Sequence, residues 1–239
     1  MRFRVTLYRV SASLLLCPLL LPLEMAHAET ASSTADAPLN TIIITARRLE
    51  ESAQDVPVSV VSVSGESLTQ AGISTAQELQ QVVAGLQVAV PNPRLAQFTL
   101  RGLGSSSFNE GLESSVGLFV DGVYLGRQSM SITDLIDIER IEVARGPQGT
   151  LFGKNATAGT IHVMTQKPQF TPQAIMEASW GSQGTAQLRG TLTGPVSSTT
   201  ALRLTAWHTE RDGLVENRFN GERYNDRNRE GLRGQLLWA

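Results

Sequence analysis

The stretch RGPQGTLFGKNATAGTIHV, residues 145–163, contains four glycines and one lysine. Glycine-rich loops with a lysine are typical of phosphate sites, so the first hypothesis is a nucleotide-binding enzyme. The P-loop pattern G-x-x-x-x-G-K-[ST] requires glycine where this chain has Gln148, and a hydroxyl where it has Asn155. Because the backbone cradle and the metal-binding hydroxyl must act together, both departures argue against that hypothesis. The glycines must serve another purpose.

Residues 1–28 have the order of a secretory signal peptide. Three arginines precede the apolar run Leu14–Leu23, and Ala26-His27-Ala28 supplies the small residues of a cleavage site. The apolar run is shorter than the roughly 20 residues of a spanning helix, so a permanent anchor is the weaker alternative. The only cysteine, Cys17, lies in this segment, so the exported chain would contain no disulfide. We therefore expect export through the inner membrane and cleavage after Ala28.

The charge balance and the histidines narrow the function further. The whole chain has 20 basic and 22 acidic residues, which argues against nucleic acid as a partner. His162 and His208 are isolated, and nothing resembles a Cys/His metal cluster. The sequence therefore predicts no metal, no cofactor and no catalytic residue.

Residues 29–48 form a separate N-terminal segment. It opens with ETASSTADAP, which is small and polar and is expected to be mobile. LNTIIITA follows, and its β-branched run favours a strand that has no hairpin partner close in sequence. One interpretation makes it the first strand of the next domain. The other makes it a strand that joins the sheet edge of another protein by β-augmentation.

Residues 49–168 predict a small mixed domain of strands and short helices. Thr75-Ala76-Gln77-Glu78 is a capping box that opens a helix, and Asp121-Gly122 between apolar flanks predicts a two-residue hairpin. The other elements expected are strands at Val58–Val63, Leu86–Val90, Phe98–Arg101, Arg140–Arg145 and Thr160–Thr165, a core stripe of Leu79, Val82, Val83 and Leu86, and a short helix at Ile132–Ile138.

Residues 169–239 change to strict alternation. In each of four stretches, apolar and mostly polar residues alternate, as in AIMEASW and AQLRGTLT, with a turn such as Gly181–Gly184 between them. Strands of about ten residues with this pattern are typical of an outer-membrane barrel. A soluble antiparallel sandwich with one wet face alternates too, so both alternatives stay open on the pattern alone.

Five segments occur in an order that resembles the plug domain of TonB-dependent outer-membrane receptors. They are LNTIIITA, VPVSVVSVSGESL, TLRGLGSSSFNEG, SVGLFVDGVYLGR and IERIEVARGPQGTLFGKNATAGTIHVMTQKP. The resemblance covers about Leu39–Pro168 and continues into the first barrel strands. It implies an α+β plug domain, a small mixed sheet with short helices, followed by the start of an antiparallel transmembrane β-barrel that is incomplete in this chain.

The resemblance also assigns roles to residues. Thr41, Ile42, Ile43, Ile44 and Thr45 occupy the TonB-box position and would bind a TonB-type energy-coupling protein. Arg101-Gly102 and Asp121-Gly122 occupy the recurrent RG and DG positions, and Arg140–Pro147 the R-I-E-V-x-R-G-P stretch. Within that stretch, the candidates for contacts that hold the plug in the barrel are Arg140, Glu142 and Arg145. The alternative for these three is surface salt bridging.

The ligand would be bound by outward loops, for which the candidates are Asn92–Leu95 and Ser105–Ser115. Within them, the residues expected to contact it are Arg94, Ser105, Ser106, Ser107, Phe108, Asn109 and Glu110, with solvated loop as the alternative. The implied activity is uptake of a scarce ligand across the outer membrane of a Gram-negative cell. A ferric siderophore is the first expectation, and haem, cobalamin and glycans stay open.

Two further expectations concern the extent of the chain. The alternating region has room for four or five strands, whereas the smallest closed outer-membrane barrels have about eight. Unpaired backbone groups in lipid would cost several kcal/mol each, so we expect this chain to be a fragment of a longer receptor. The alternative is a soluble periplasmic binding or interaction module formed by the plug alone.

Overall fold

The structure is a computed structural model that describes residues 2–6, 43–44, 51–52, 56–92, 95–104, 113–127 and 134–239. The strands in chain order are β1 Arg2–Thr6, β2 Ile43–Ile44, β3 Glu51–Ser52, β4 Ser59–Ser64, β5 Leu86–Asn92, β6 Leu95–Leu100, β7 Leu103–Gly104, β8 Val116–Val120, β9 Val123–Tyr124, β10 Ile138–Arg145, β11 Gly159–Thr165, β12 Gln173–Trp180, β13 Ala186–Pro195, β14 Thr200–Arg211, β15 Val215–Glu216, β16 Arg223–Tyr224 and β17 Arg227–Trp238. The helices are α1 Gly65–Ala71, a 3₁₀ helix Ala76–Gln81 and α2 Gly149–Phe152. Within these residues, no helix is long and apolar enough to span a bilayer.

The N-terminal domain is built on a five-stranded sheet with the order β4-β10-β11-β8-β9. All neighbours are antiparallel except β11 and β8. Alternation along β10 and β11 places Ile141, Val143 and Ile161 on one face, where all three are fully buried. The 3₁₀ helix and the small sheet β5-β6-β7 cover that face with Leu79 and Leu100. One apolar core therefore lies between two layers.

Capping residues determine where the helices start and end. The 3₁₀ helix begins where the capping box predicts, and Glu78 accepts a hydrogen bond from the Thr75 backbone N–H at 3.0 Å. Helix α1 was not predicted, because its seven residues bury only Leu68 and show no apolar period. It is defined by its ends instead: Ser64 accepts from the Ser67 N–H at 3.1 Å, and Gly72 closes the helix at φ 76°.

The glycines of residues 145–163 serve the backbone of this domain. Gly153 has φ 81°, a left-handed conformation that side chains disfavour. At Gly159, a Cβ atom would stand 2.4 Å from the Ala144 carbonyl oxygen, so only glycine lets β11 approach β10 there. Lys154, next to Gly153, forms an exposed ion pair with Glu113. The loop is therefore a structural turn between β10 and β11.

The Asp121-Gly122 hairpin is confirmed. Both residues have positive φ, 47° and 81°, as a type I′ turn requires, and β8 pairs with β9 across them. The Asp121 carboxylate also accepts hydrogen bonds from the Thr165 N–H at 2.8 Å and the Thr165 hydroxyl at 2.7 Å. The turn thus fixes the end of the central strand β11.

Two expectations were wrong. The helix predicted over Ile132–Ile138 is not formed by its described residues, because Asp137 has φ 57° and β10 starts at Ile138. The side chains of Asp134 and Asp137 form ion pairs with a neighbouring sheet instead, as described below. The Ile43–Ile44 strand, expected to have no partner nearby, pairs with Glu51–Ser52. Only two residue pairs are formed, too few to be visible as a hairpin pattern.

The second sheet contains β12, β13, β14 and β17, called here the wall sheet, in an antiparallel meander that confirms all four alternating stretches as strands. Residues 196–199 make a short turn at one end. Residues 212–226 make a longer loop at the other end and include the small hairpin β15-β16. Strand β1 pairs with the outer edge of β12. That segment belongs to the predicted signal peptide, whose cleavage stays a prediction.

Candidate functional site at the wall sheet

The wall sheet distributes polar and apolar residues between its two faces in the opposite way to a sheet of a soluble protein. Its polar face is buried against the N-terminal domain, and its apolar face is exposed. The buried polar residues are Thr191, Thr193, Arg203, Thr205 and Thr209, and the exposed apolar residues include Met176, Trp180, Leu188, Leu192, Leu204, Leu232, Leu236 and Trp238. A soluble sandwich would bury the apolar face, whereas an outer-membrane barrel turns it towards lipid. The distribution therefore favours the barrel alternative over the sandwich for this sheet.

Two exposed tryptophans mark the ends of the apolar band. Trp180 ends β12 and is level with Asn228 of β17, counted through the paired residues, whereas Trp238 ends β17. Ten residues separate these levels along β17, which at about 3.3 Å per residue and about 40° tilt gives a band about 25 Å tall. Aromatic residues at both edges of a band of this height are typical of a barrel wall in a bilayer.

A lysine on the exposed apolar face should therefore destabilise the wall sheet. Replacing Leu204, which is exposed within the band, with lysine should cost about 2–4 kcal/mol of folding free energy in vesicles, because the ammonium group loses water. The measurement is a urea titration of folding into phospholipid vesicles. The matched control is Ser197→Lys in the short turn, which should change the midpoint little. Equal effects of the two lysines would mean that Leu204 does not face lipid.

A buried ion pair connects the N-terminal domain to the wall sheet. Arg203 donates to Asp137 through Nε at 2.7 Å and through Nη2 at 2.6 Å, and the Thr205 hydroxyl donates to the same carboxylate at 2.8 Å. Both charged side chains are about 95 % buried. Burial raises the pKa of Asp137, but the hydrogen bonds and charge of Arg203 outweigh it and hold this pKa below its usual range. Asp137 is therefore ionised at neutral pH.

Neighbouring contacts extend this pair into a row. Arg229 pairs with Asp134 at 2.9 Å, and Arg233 donates to the Ile136 carbonyl at 3.0 Å. Residues 134–137 therefore lie along β17 and β14 and use both side chains and a backbone carbonyl against the wall sheet. A helix would direct that carbonyl to its own N–H partner, which explains why the predicted helix does not form here.

A second row of contacts lies level with Arg203 in the strand register, because Thr193 and Gln235 both pair with that residue. Gln235 donates to the Thr165 hydroxyl at 2.8 Å, and that hydroxyl donates to Asp121. The Gln169 N–H donates to the Thr193 hydroxyl at 2.9 Å. The interface is thus made of reversible polar contacts, which can break and re-form without covalent chemistry.

Comparison with known proteins identifies the arrangement. Residues 52–160 match the family model of the TonB-dependent receptor plug domain. The chain belongs to the TonB-dependent receptor family. The N-terminal domain is its plug domain, and the wall sheet is the start of its barrel, which confirms the fold class and the resemblance inferred from the sequence.

Relatives of this chain are named for different ligands. The pesticin receptor of Yersinia pestis is 34% identical over 180 residues, which are 74% of this chain and 26% of the relative. The vitamin B12 transporter BtuB of Vibrio vulnificus is 27% identical over 201 residues, which are 82% of this chain and 31% of the relative. The chain therefore spans about a quarter to a third of the length of these curated relatives.

Solved structures of other receptors contain the same fold. The ferric yersiniabactin uptake receptor FyuA from Yersinia pestis superposes with a TM-score of 0.66 at 30% identity, over 75% of this chain and 28% of that chain. The FpvAI–pyocin S2 complex gives a TM-score of 0.68 at 19% identity, over 82% of this chain and 25% of that one, and supports the fold alone.

The plug residues predicted to contact the barrel have partners inside the plug. Arg140 donates to Glu142 at 2.8 Å and also pairs with Glu139, and Arg145 donates to the Ala84 carbonyl at 2.8 Å. Contact of Arg140, Glu142 and Arg145 with the barrel stays a prediction. The wall contacts that the structure does contain, made by Asp134 and Asp137, were missed in the sequence. Their only signal is a pair of aspartates in an apolar stretch.

The other predicted sites lie largely outside the described residues. Of the TonB-box segment, Ile43 and Ile44 are described and form β2, whereas Thr41, Ile42 and Thr45 are not. The ligand candidates Arg94, Ser105, Ser106, Ser107, Phe108, Asn109 and Glu110 all lie outside them. Both assignments remain predictions.

Proposed function

We propose that this chain is the plug and first barrel strands of an outer-membrane receptor that imports a ferric siderophore or a similar small ligand, driven by a TonB-type energy-coupling protein. The observation that carries the proposal is the wall sheet itself, apolar towards lipid and bonded to the plug by its polar face. A transporter needs a domain that closes the lumen and can still be moved. Polar contacts between plug and wall meet both needs.

The ends of the wall sheet support an orientation. Outer-membrane barrels have short periplasmic turns and longer extracellular loops. The four-residue turn 196–199 is then periplasmic, and the loop 212–226 faces outwards. The second row of contacts, at Gln235, lies near the periplasmic end, and Asp134 lies nearer the outward end. The candidate ligand segment at 105–115 enters the plug sheet at the start of β8, the end away from Gln235.

The energy supply would come through the N-terminal segment, since the outer membrane has no nucleotide supply. Strand β2 has only the two-residue strand β3 as its partner among the described residues. Its other edge is suited to β-augmentation by the coupling protein. Pulling on β2 would act on the plug, while Arg140, Glu142 and Arg145 would hold it to parts of the barrel beyond the wall sheet. The N-terminal leader would deliver the chain through the inner membrane.

Uptake assays test this function. In a strain that lacks the receptor, restoring it should restore uptake of at least one radiolabelled ferric siderophore, and removing the energy-coupling protein should abolish that uptake. Cobalamin is the second candidate ligand, favoured by the relatedness to a vitamin B12 transporter. Labelled cyanocobalamin in the same strains separates the two. Uptake of cobalamin and of none of the ferric complexes would refute the siderophore assignment.

A further inference from the structure

The inward faces of β14 and β17 carry an excess of arginine. Alternation turns five arginines inwards on these strands and no carboxylate. Three of them are engaged by the plug: Arg203 by Asp137, Arg229 by Asp134 and Arg233 by a backbone carbonyl. The remaining two, Arg211 and Arg227, lie at the outward end. They are directly opposite each other in the strand register.

Arg211 and Arg227 lack the carboxylate partners that Arg203 and Arg229 have. Among the residues that the structure describes, neither guanidinium group forms an ion pair with a carboxylate. Arg211 donates through Nη2 to the Asn225 carbonyl at 2.8 Å, and its Nε is buried without a hydrogen-bond partner. Like charges placed directly opposite in an antiparallel pair destabilise it. Among the described residues, the register of β14 and β17 therefore places two like charges opposite each other at the outward end.

The nearby carboxylates are committed elsewhere or exposed to water. Glu78 and Asp134 attract Arg227 from the plug side, but Glu78 accepts from backbone N–H groups and Asp134 from Arg229. Glu210 lies on the opposite strand face, 3.7 Å from His208. The others are Asp212 and Asp226, which are exposed loop residues. An incoming anion would thus meet two guanidinium groups with spare donors.

A cavity of about 350 Å³ opens beside the pair and is lined by Arg211, Arg227 and Arg223 together with Glu210, Asp212 and Asp226. We propose that Arg211 and Arg227 form an oxyanion-binding subsite, which takes a carboxylate- or phosphate-type group of the transported ligand at the receptor mouth. Guanidinium groups bind such oxygens bidentately, and an anion between two of them relieves their repulsion. The identity of its biological ligand rests on the proposed uptake function.

Direct anion binding tests the subsite independently of uptake. The full-length receptor in detergent is titrated with citrate and with pyrophosphate in a calorimeter, using Arg227→Gln, Arg211→Gln and the double variant. Each single substitution should weaken anion binding about tenfold, since hydrogen bonds to charged groups are lost. Arg218→Gln, on the exposed loop, is the matched control and should bind as the unsubstituted receptor does.

A stability measurement separates binding from a structural role. Without anion, Arg227→Gln should leave Tm unchanged or raise it, because a repulsive pair is removed; a structural arginine would lower it. Equal citrate binding in all variants, or none in the unsubstituted receptor, would overturn the subsite. If the variants lose citrate binding and no ferric complex is imported, the subsite stands and the uptake function fails.

Discussion

Replacing Asp137 with asparagine should lower the unfolding free energy of the docked plug by about 3 kcal/mol or more. The change leaves Arg203, 4% exposed, without its countercharge, and breaking a buried ion pair from one side costs about 3–5 kcal/mol. Asparagine is chosen because it tolerates the φ of 57° at this position, so the effect reports the charge and not the backbone. Calorimetric unfolding of the plug in the detergent-solubilised receptor measures the difference.

Asp134→Asn is the matched control. It removes the same charge from the same segment, but its partner Arg229 is 35% exposed, so the cost should stay within about 1 kcal/mol. A double variant, Asp137→Asn with Arg203→Met, should recover part of the loss because no buried charge remains unpaired. Equal losses from Asp137→Asn and Asp134→Asn would contradict the special role of the buried pair.

The same pair predicts a pH dependence. The pKa of Asp137 is lowered in the folded protein, so its contribution to stability is present above its unfolded pKa of about 3.9 and is lost as pH falls through the lower folded value. Plug docking through this carboxylate should therefore be unchanged between about pH 8 and 5 and weaken below about pH 4. The Asp137→Asn receptor should lack this component of the acid transition.

Proline at Ile43 should reduce ligand uptake to the level of a receptor-free strain, while ligand binding at the cell surface survives. Proline removes the backbone N–H and fixes φ, so this two-residue strand loses one of its donors and pairs poorly with an added strand. Binding assays at low temperature and uptake assays on energised cells measure the two properties separately. Ile43→Val, which keeps the N–H and the strand preference, is the control and should transport normally.

Ile44→Pro refines this test. Successive N–H groups of a strand point to opposite sides, so one of the two prolines affects the pairing with β3 and the other affects the open edge. Loss of uptake from the open-edge variant alone would identify the edge that the coupling protein uses. Equal loss of binding and uptake in both variants would show that the segment is not a separate coupling element.

The sequence alone determined the features that depend on local chemistry. Asp121-Gly122 specified its turn because few residues adopt two successive positive φ angles, and Glu78 specified the start of the 3₁₀ helix. Strict alternation predicted every strand of the wall sheet, because the period of two is a property of the extended backbone. The order of the plug segments was sufficient to indicate the family, since each segment reflects such a local requirement.

Tertiary structure decided which polar groups meet. Asp137 and Arg203 are 66 residues apart, and nothing local distinguishes a wall-facing aspartate from a solvated one. The same contact overrode the apparent helix at Ile132–Ile138, since the charge pairing and the carbonyl of Ile136 required a non-helical path. The sequence also left undecided which face of the wall sheet is buried, because the alternation is identical in a soluble sandwich and a barrel. Only the packed plug shows which face is buried, and so which face meets lipid.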